Sequence, residues 1–140
     1  MVKGIHTLIK LHKRTLDELR RKMTNLENQK NQLRTSLINL QKELEQEMAL
    51  AGQQAEMAGF FGDFSKRIRK RQETIVFEIQ ALDIQIVKLS DEISVAFAEL
   101  KKFEIARDNA KKCEQAAQNR KDTIMLDEIA IQQHRRKEDV

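Results

Sequence analysis

Apolar residues recur along this chain at alternating steps of three and four, and that regularity constrains the fold more than any other feature. From Val2 the series runs Ile5, Ile9, His12, Leu16, Leu19, Met23, Leu26, Lys30, Leu33, Leu37, Leu40, Leu44, Glu47 and Ala51, with twelve of fifteen positions apolar. A 3.5-residue period keeps one stripe facing a neighbouring helix over many turns, so it predicts the seam of a left-handed coiled coil. A second series runs Ile68, Gln72, Ile75, Ile79, Leu82, Ile86, Leu89, Ile93, Ala96, Leu100 and Phe103, with ten of eleven positions apolar. Past Phe103 the spacing is read through Ala106, Ala110, Cys113 and Ala117, an extra step of three that predicts a local change of supercoil and a narrower seam.

Composition agrees with helix throughout. The chain has no proline, tryptophan or tyrosine and only four glycines among 140 residues. Strands need β-branched and aromatic residues broken by Gly, Pro and Asn turns, which this sequence does not supply. Three of the glycines fall in GQQAEMAGFFGDF, residues 52–64, the one plausible point of reversal. Two striped helices joined by one break bury their stripes most economically against each other. The fold class is therefore all-α, two long helices forming an antiparallel coiled-coil hairpin. Helix one is expected over about residues 2–51, the turn over 52–64, helix two over about 65–133 starting from a cap at Asp63 or Ser65, and a short charged tail over 134–140, all in a single domain 1–140.

Such helices would measure roughly 75 Å and on the order of 100 Å at 1.5 Å per residue. Folding about residue 58 sets Ile5 opposite roughly Lys111, so residues beyond about 115 overhang without a partner in their own chain. A lone helix is marginal in water, and this segment is expected to stay mobile until something binds it. Charge is distributed in blocks: +6 over residues 1–34, −4 over 35–64, +5 over 66–71, −5 over 73–99, +4 over 101–121 and −2 over 122–140. In a hairpin the first and fifth blocks lie together, giving a basic open end suited to an acidic partner surface.

Several function classes fall away. No window approaches 18 uncharged apolar residues and the first residues meet charge at once, so neither a membrane span nor a secretory signal is expected, and the chain is read as cytosolic. Cys113 stands alone, which rules out an internal disulfide and fits a reducing compartment. Phosphate-loop, dinucleotide-binding and nucleophile-elbow motifs are missing, and His6, His12 and His134 include no i, i+4 pair. No catalytic residue, metal ligand or cofactor is expected, and the chain is not read as an enzyme. His12 and Lys30, polar residues on the seam, are read as setting register, and Cys113 as a small seam filler. The run KRIRKR, residues 66–71, is read as a solvated basic face and not as a nucleic-acid site, since no recognition fold accompanies it.

The segment TIMLDEIAIQQHRRKE is different. Its apolar residues Ile124, Met125, Leu126, Ile129, Ala130 and Ile131 surround most of a helix where the overhang leaves them uncovered. Apolar surface there calls for a partner, either this chain's own Ile5 and Leu8, a second copy, or a groove or pore in another protein with Arg135, Arg136 and Lys137 as a charged rim.

Three stretches carry a resemblance: HTLIKLHKRTLDELRRKM from His6, AFAELKKFEIARD from Ala96 and LDEIAIQQHRRKE from Leu126. Together with the two-helix layout they resemble the FliJ family of flagellar type III export proteins, in particular its shorter alphaproteobacterial members. The resemblance implies a non-catalytic component that binds and stimulates the hexameric flagellar export ATPase, contacts the export gate membrane protein and engages export chaperones. It implies a cytoplasmic protein peripherally associated with the inner-membrane export apparatus, with no nucleic-acid partner, monomeric in isolation. Leu126, Asp127, Glu128 and Ile129 match the family's C-terminal pattern and are the ring-facing candidates, with Arg135 and Arg136 beside them. The alternative is a purely structural, self-associating coiled coil.

Overall fold

The computed structural model describes residues 2–53 and 58–139 and contains two helices, α1 (Val2–Gln53) and α2 (Ala58–Glu138), with no strand among the described residues. They pack against each other as an all-α helical hairpin. Two compact units divide the chain, one of residues 15–95 and the other of residues 1–14 with 96–140.

In the unit of residues 15–95 the pairing is antiparallel. The Gln72 side-chain amide donates to Gln41 Oε1 at 3.1 Å, and eleven residues back along α1 and eleven onward along α2 Lys30 pairs with Asp83. In the unit of residues 1–14 and 96–140, the His12 ring stacks on Phe103 with centroids 4.8 Å apart and planes 27° apart. Seven residues before His12 and seven after Phe103 lie Ile5 and Ala110, both half-buried.

Every described position of the first seam, Ile5 to Ala51, is buried or half-buried, as is every position from Ile68 to Phe103. The buried hydrophobic residues, Ile9, Leu16, Ile68, Ile75, Leu89 and Leu100, all belong to those two stripes. The core is one residue layer thick, as the heptad requires, because each helix has one neighbour. His12 and Lys30, the polar positions of the first seam, meet Phe103 and Asp83 on α2. Sliding either helix would set the Lys30 ammonium against leucines, so an ion pair at the edge of an apolar seam disfavours shifted pairings more than it adds stability.

Both ends of α2 differ from the sequence expectation. α2 begins at Ala58 and not at 65, so Asp63 and Ser65 are not caps; Ser65 Oγ instead donates to the Gly62 carbonyl within the helix at 3.1 Å. Gly59 and Gly62 have no positive φ and sit inside the helix. Each glycine costs about 1 kcal/mol there, which the partial burial of Phe61 and Phe64 beside α1 offsets. Of the expected turn, residues 54–57 lie outside the described residues.

Past Phe103 the seam runs through Arg107 and Ala110, both half-buried, while Ala106 is exposed. The heptad therefore continues without the extra step of three, carried by the aliphatic stem of an arginine in place of an alanine. Cys113 and Ala117 are exposed, so Cys113 fills no seam. At the C-terminus α2 extends through Glu138, because Arg135, Arg136 and Lys137 in its last turn suit the negative end of the helix dipole.

Burial along the stripe fixes what substitutions should do. Ile75→Ala, at a side chain with 0% exposure, is expected to lower unfolding free energy in urea by about 3 kcal/mol. Phe77→Ala, two residues on and 74% exposed, should change it by less than about 0.5 kcal/mol.

Candidate partner-binding surfaces

From residue 111 to residue 139 every position is exposed. This stretch of α2 has no neighbour in its own unit, so its helicity rests on local terms and on continuity with the paired part of the helix, which has already met the cost of nucleation. Local support is visible. Gln115 Nε2 donates to Asn119 Oδ1 and Gln118 Nε2 to Asp122 Oδ1, both at 3.0 Å and four residues apart. His134 Nε2 and Glu138 Oε1 lie 3.1 Å apart, and the Asp139 amide closes the end on the Arg135 carbonyl at 3.1 Å.

On this segment Leu126 is 66% exposed and Ile129 45%. Three residues apart, they share one side of the helix, which Met125 and Ala130 widen into a continuous apolar arc. Arg136, seven residues after Ile129, lies on the same side two turns beyond, so it rims the arc. Asp127 lies on one flank, and Glu128, Arg135, Ile124 and Ile131 lie on the opposite side of the helix. The structure thus gathers Leu126, Ile129 and Arg136 on one face and separates Asp127, Glu128 and Arg135 from it. Ile5 is half-buried opposite Ala110 and does not cover the arc.

Two surfaces escaped the sequence reading. In the unit of residues 15–95, the outward side of α2 carries Phe77, Ala81, Ile84 and Val87 at spacings of four, three and three, with both large aliphatics and the phenylalanine well exposed. The matching side of α1 is polar, with Asn28, Asn31, Gln32 and Thr35 lining an open crevice. The signal was available, since these residues form a second apolar stripe off the seam; following only one stripe per helix hides it. Where α2 begins, Leu50, Ala51, Phe60, Phe61 and Phe64 line a cleft of about 570 Å³ whose rim carries Glu47, Asp63, Lys66 and Arg67.

Among the described residues no group of three or more His, Cys, Asp or Glu side chains is placed to hold a metal ion, and no helix is long and apolar enough to cross a membrane. What the fold and these surfaces define is an all-α helical hairpin with apolar side chains exposed along α2. A family model described as "Flagellar FliJ protein" matches residues 3–139, and the chain belongs to that family, whose members are components of the flagellar export apparatus. No curated protein and no solved structure matches the chain.

Hydrogen exchange separates paired from unpaired helix. Amides of residues 113–138 should exchange faster than those of residues 82–95 by a factor on the order of 100, because only the latter require the hairpin to open. Addition of a partner that covers the arc should remove most of that difference.

Proposed function

We propose that this chain binds the hexameric flagellar export ATPase through the apolar arc of its unpaired C-terminal helix and stimulates hydrolysis there without contributing a catalytic group. The observation that supports this is the uncovered arc of Met125, Leu126, Ile129 and Ala130 on a stretch in which every described residue is exposed. An apolar face on a single helix is the usual ligand for a groove, and a narrow central opening formed by several subunits is a groove closed on itself. Arg136 on the arc would meet acidic groups at the mouth, while Asp127 on the flank and Glu128 and Arg135 on the far side would meet walls of the opposite charge. Work done in this way is binding work: favouring the assembled ring over its parts raises the population that hydrolyses nucleotide.

The outward stripe of α2 is assigned to the export gate. Phe77, Ala81, Ile84 and Val87 offer apolar contact, and the surrounding block of residues 73–99, net −5, favours a partner face rich in lysine or arginine. The same net charge works against pairing two copies through this stripe, which is why we favour a linking role over the self-associating coiled coil. Export chaperones are a third class of partner. The site of action is the cytoplasmic side of the inner membrane, with the chain monomeric before it binds.

The test is the hydrolysis rate and hexamer content of the cognate export ATPase with and without this chain. Stimulation is expected with the native chain. Leu126→Asp combined with Ile129→Asp should raise the half-saturating concentration by at least about thirtyfold, the loss typical of removing one central apolar anchor. Equal stimulation by the double variant would sink the assignment. In a parallel experiment, Phe77→Asp with Ile84→Asp should abolish binding to the cytoplasmic part of the gate while stimulation of the ATPase is retained.

A further inference from the structure

The start of α2 carries a feature that neither proposed surface uses. Lys66, Arg67, Arg69, Lys70 and Arg71 occupy five of six consecutive positions, and only Ile68 between them is buried in the seam. At 100° per residue these cations surround the helix on every side except the one facing α1. None of the five makes an ion pair with a described residue. Immediately before them Phe60 is 75% exposed, and across the cleft the end of α1 exposes Met48 and Leu50.

From this arrangement we propose that this end of the unit of residues 15–95 docks on the surface of an anionic phospholipid bilayer, with Phe60 entering the interface and the five cations among the headgroup phosphates. A protein groove reads one face of a helix and would want its cations on that face. Cations on all open sides suit a layer of mobile phosphates, which can approach from any direction around an end that dips into the headgroups. Exposed apolar side chains beside a polybasic run supply the two signals that stable surface binding requires, one hydrophobic and one electrostatic. Opposing it among the described residues nearby are Glu43, Glu45, Glu47 and Asp63; Glu47 is half-buried in the seam, which leaves three exposed carboxylates beside the five exposed cations. The surface is independent of the Leu126 arc and of the Phe77 stripe.

The experiment is co-sedimentation of the full chain with vesicles of phosphatidylethanolamine and phosphatidylglycerol in equal parts, against vesicles of phosphatidylcholine alone. Binding is expected to the anionic vesicles only and to weaken steeply with salt. Lys66→Gln, Arg67→Gln and Lys70→Gln together should lower the partition coefficient by about 100-fold, near fivefold for each cation. Phe60→Ser should lower it by about tenfold. All four positions are exposed, and unchanged helical circular dichroism checks that the hairpin persists. A triple variant that sediments like the native chain overturns the proposal, as does loss of binding in the Leu126→Asp, Ile129→Asp chain, which would place the lipid contact on the C-terminal helix. A native chain that ignores anionic vesicles but binds a polyglutamate peptide through the same cations also overturns it and gives this end to an acidic protein.

Discussion

The single-layer seam between α1 and α2 is the constraint from which the rest follows. A heptad stripe can be buried only by another helix, and each helix here has one neighbour. Six of the described residues are buried apolar side chains, so stability comes from many half-buried contacts spread along the pair and not from a central core. Where the neighbour ends, burial ends with it: Ala110 is the last residue of α2 that is not exposed. Polar residues on the seam matter in this setting because leucine stripes tolerate sliding by whole heptads. Lys30 with Asp83, Gln41 with Gln72, and the His12 ring on Phe103 each match only one alignment of the two helices.

The same constraint decides what is available for binding. A two-helix protein has no interior in which to bury a substrate or desolvate a carboxylate, so recognition falls to the outsides of the helices and to helix that lacks a neighbour. The two helices differ in how they treat their outsides. α1 exposes Leu11, Ile38, Met48 and Leu50 without a continuous stripe, whereas α2 carries Phe77, Ala81, Ile84 and Val87 along the outward side and Leu126 with Ile129 beyond the paired stretch. The larger share of the exposed apolar surface is on α2. α1 acts mainly as the strip that holds the first part of α2 in register.

Much of this was legible from spacing alone. The stripes, their polar interruptions and the length mismatch between the helices are properties of residue order, and Lys30 was readable as a register residue because it interrupts an otherwise apolar series. What could not be read were features settled by competition between local and nonlocal terms. Glycine at 59 and 62 argued for a turn, but Phe61 and Phe64 between and after them gain more from lying beside α1 than the glycines lose in helix. The extra step assigned after Phe103 came from counting alanines as seam residues; the arginine at 107 lies flat enough along the seam to keep the heptad, which a scale that ranks arginine as polar does not anticipate. The Leu126 segment was found because its apolar residues had no seam to join. The Phe77 stripe is masked in the sequence for the opposite reason, since it runs beside the longer Ile75–Ile86 seam.

Membership of a flagellar export family gives these surfaces a common logic. Under the proposed function, a protein that engages several partners in turn gains from carrying each contact on its own stretch of helix, because occupancy of one then leaves the others accessible. It gains as well from a C-terminal stretch whose helicity is only marginal by itself. Such a segment keeps little free energy tied up in its own packing, and binding supplies the neighbour that the heptad pairing withholds. The affinity is reduced by whatever ordering remains to be done, which favours contacts that form and release over contacts that persist. For a component of an export apparatus, release is as necessary as capture, and a helix that outruns its partner is a simple way to provide both.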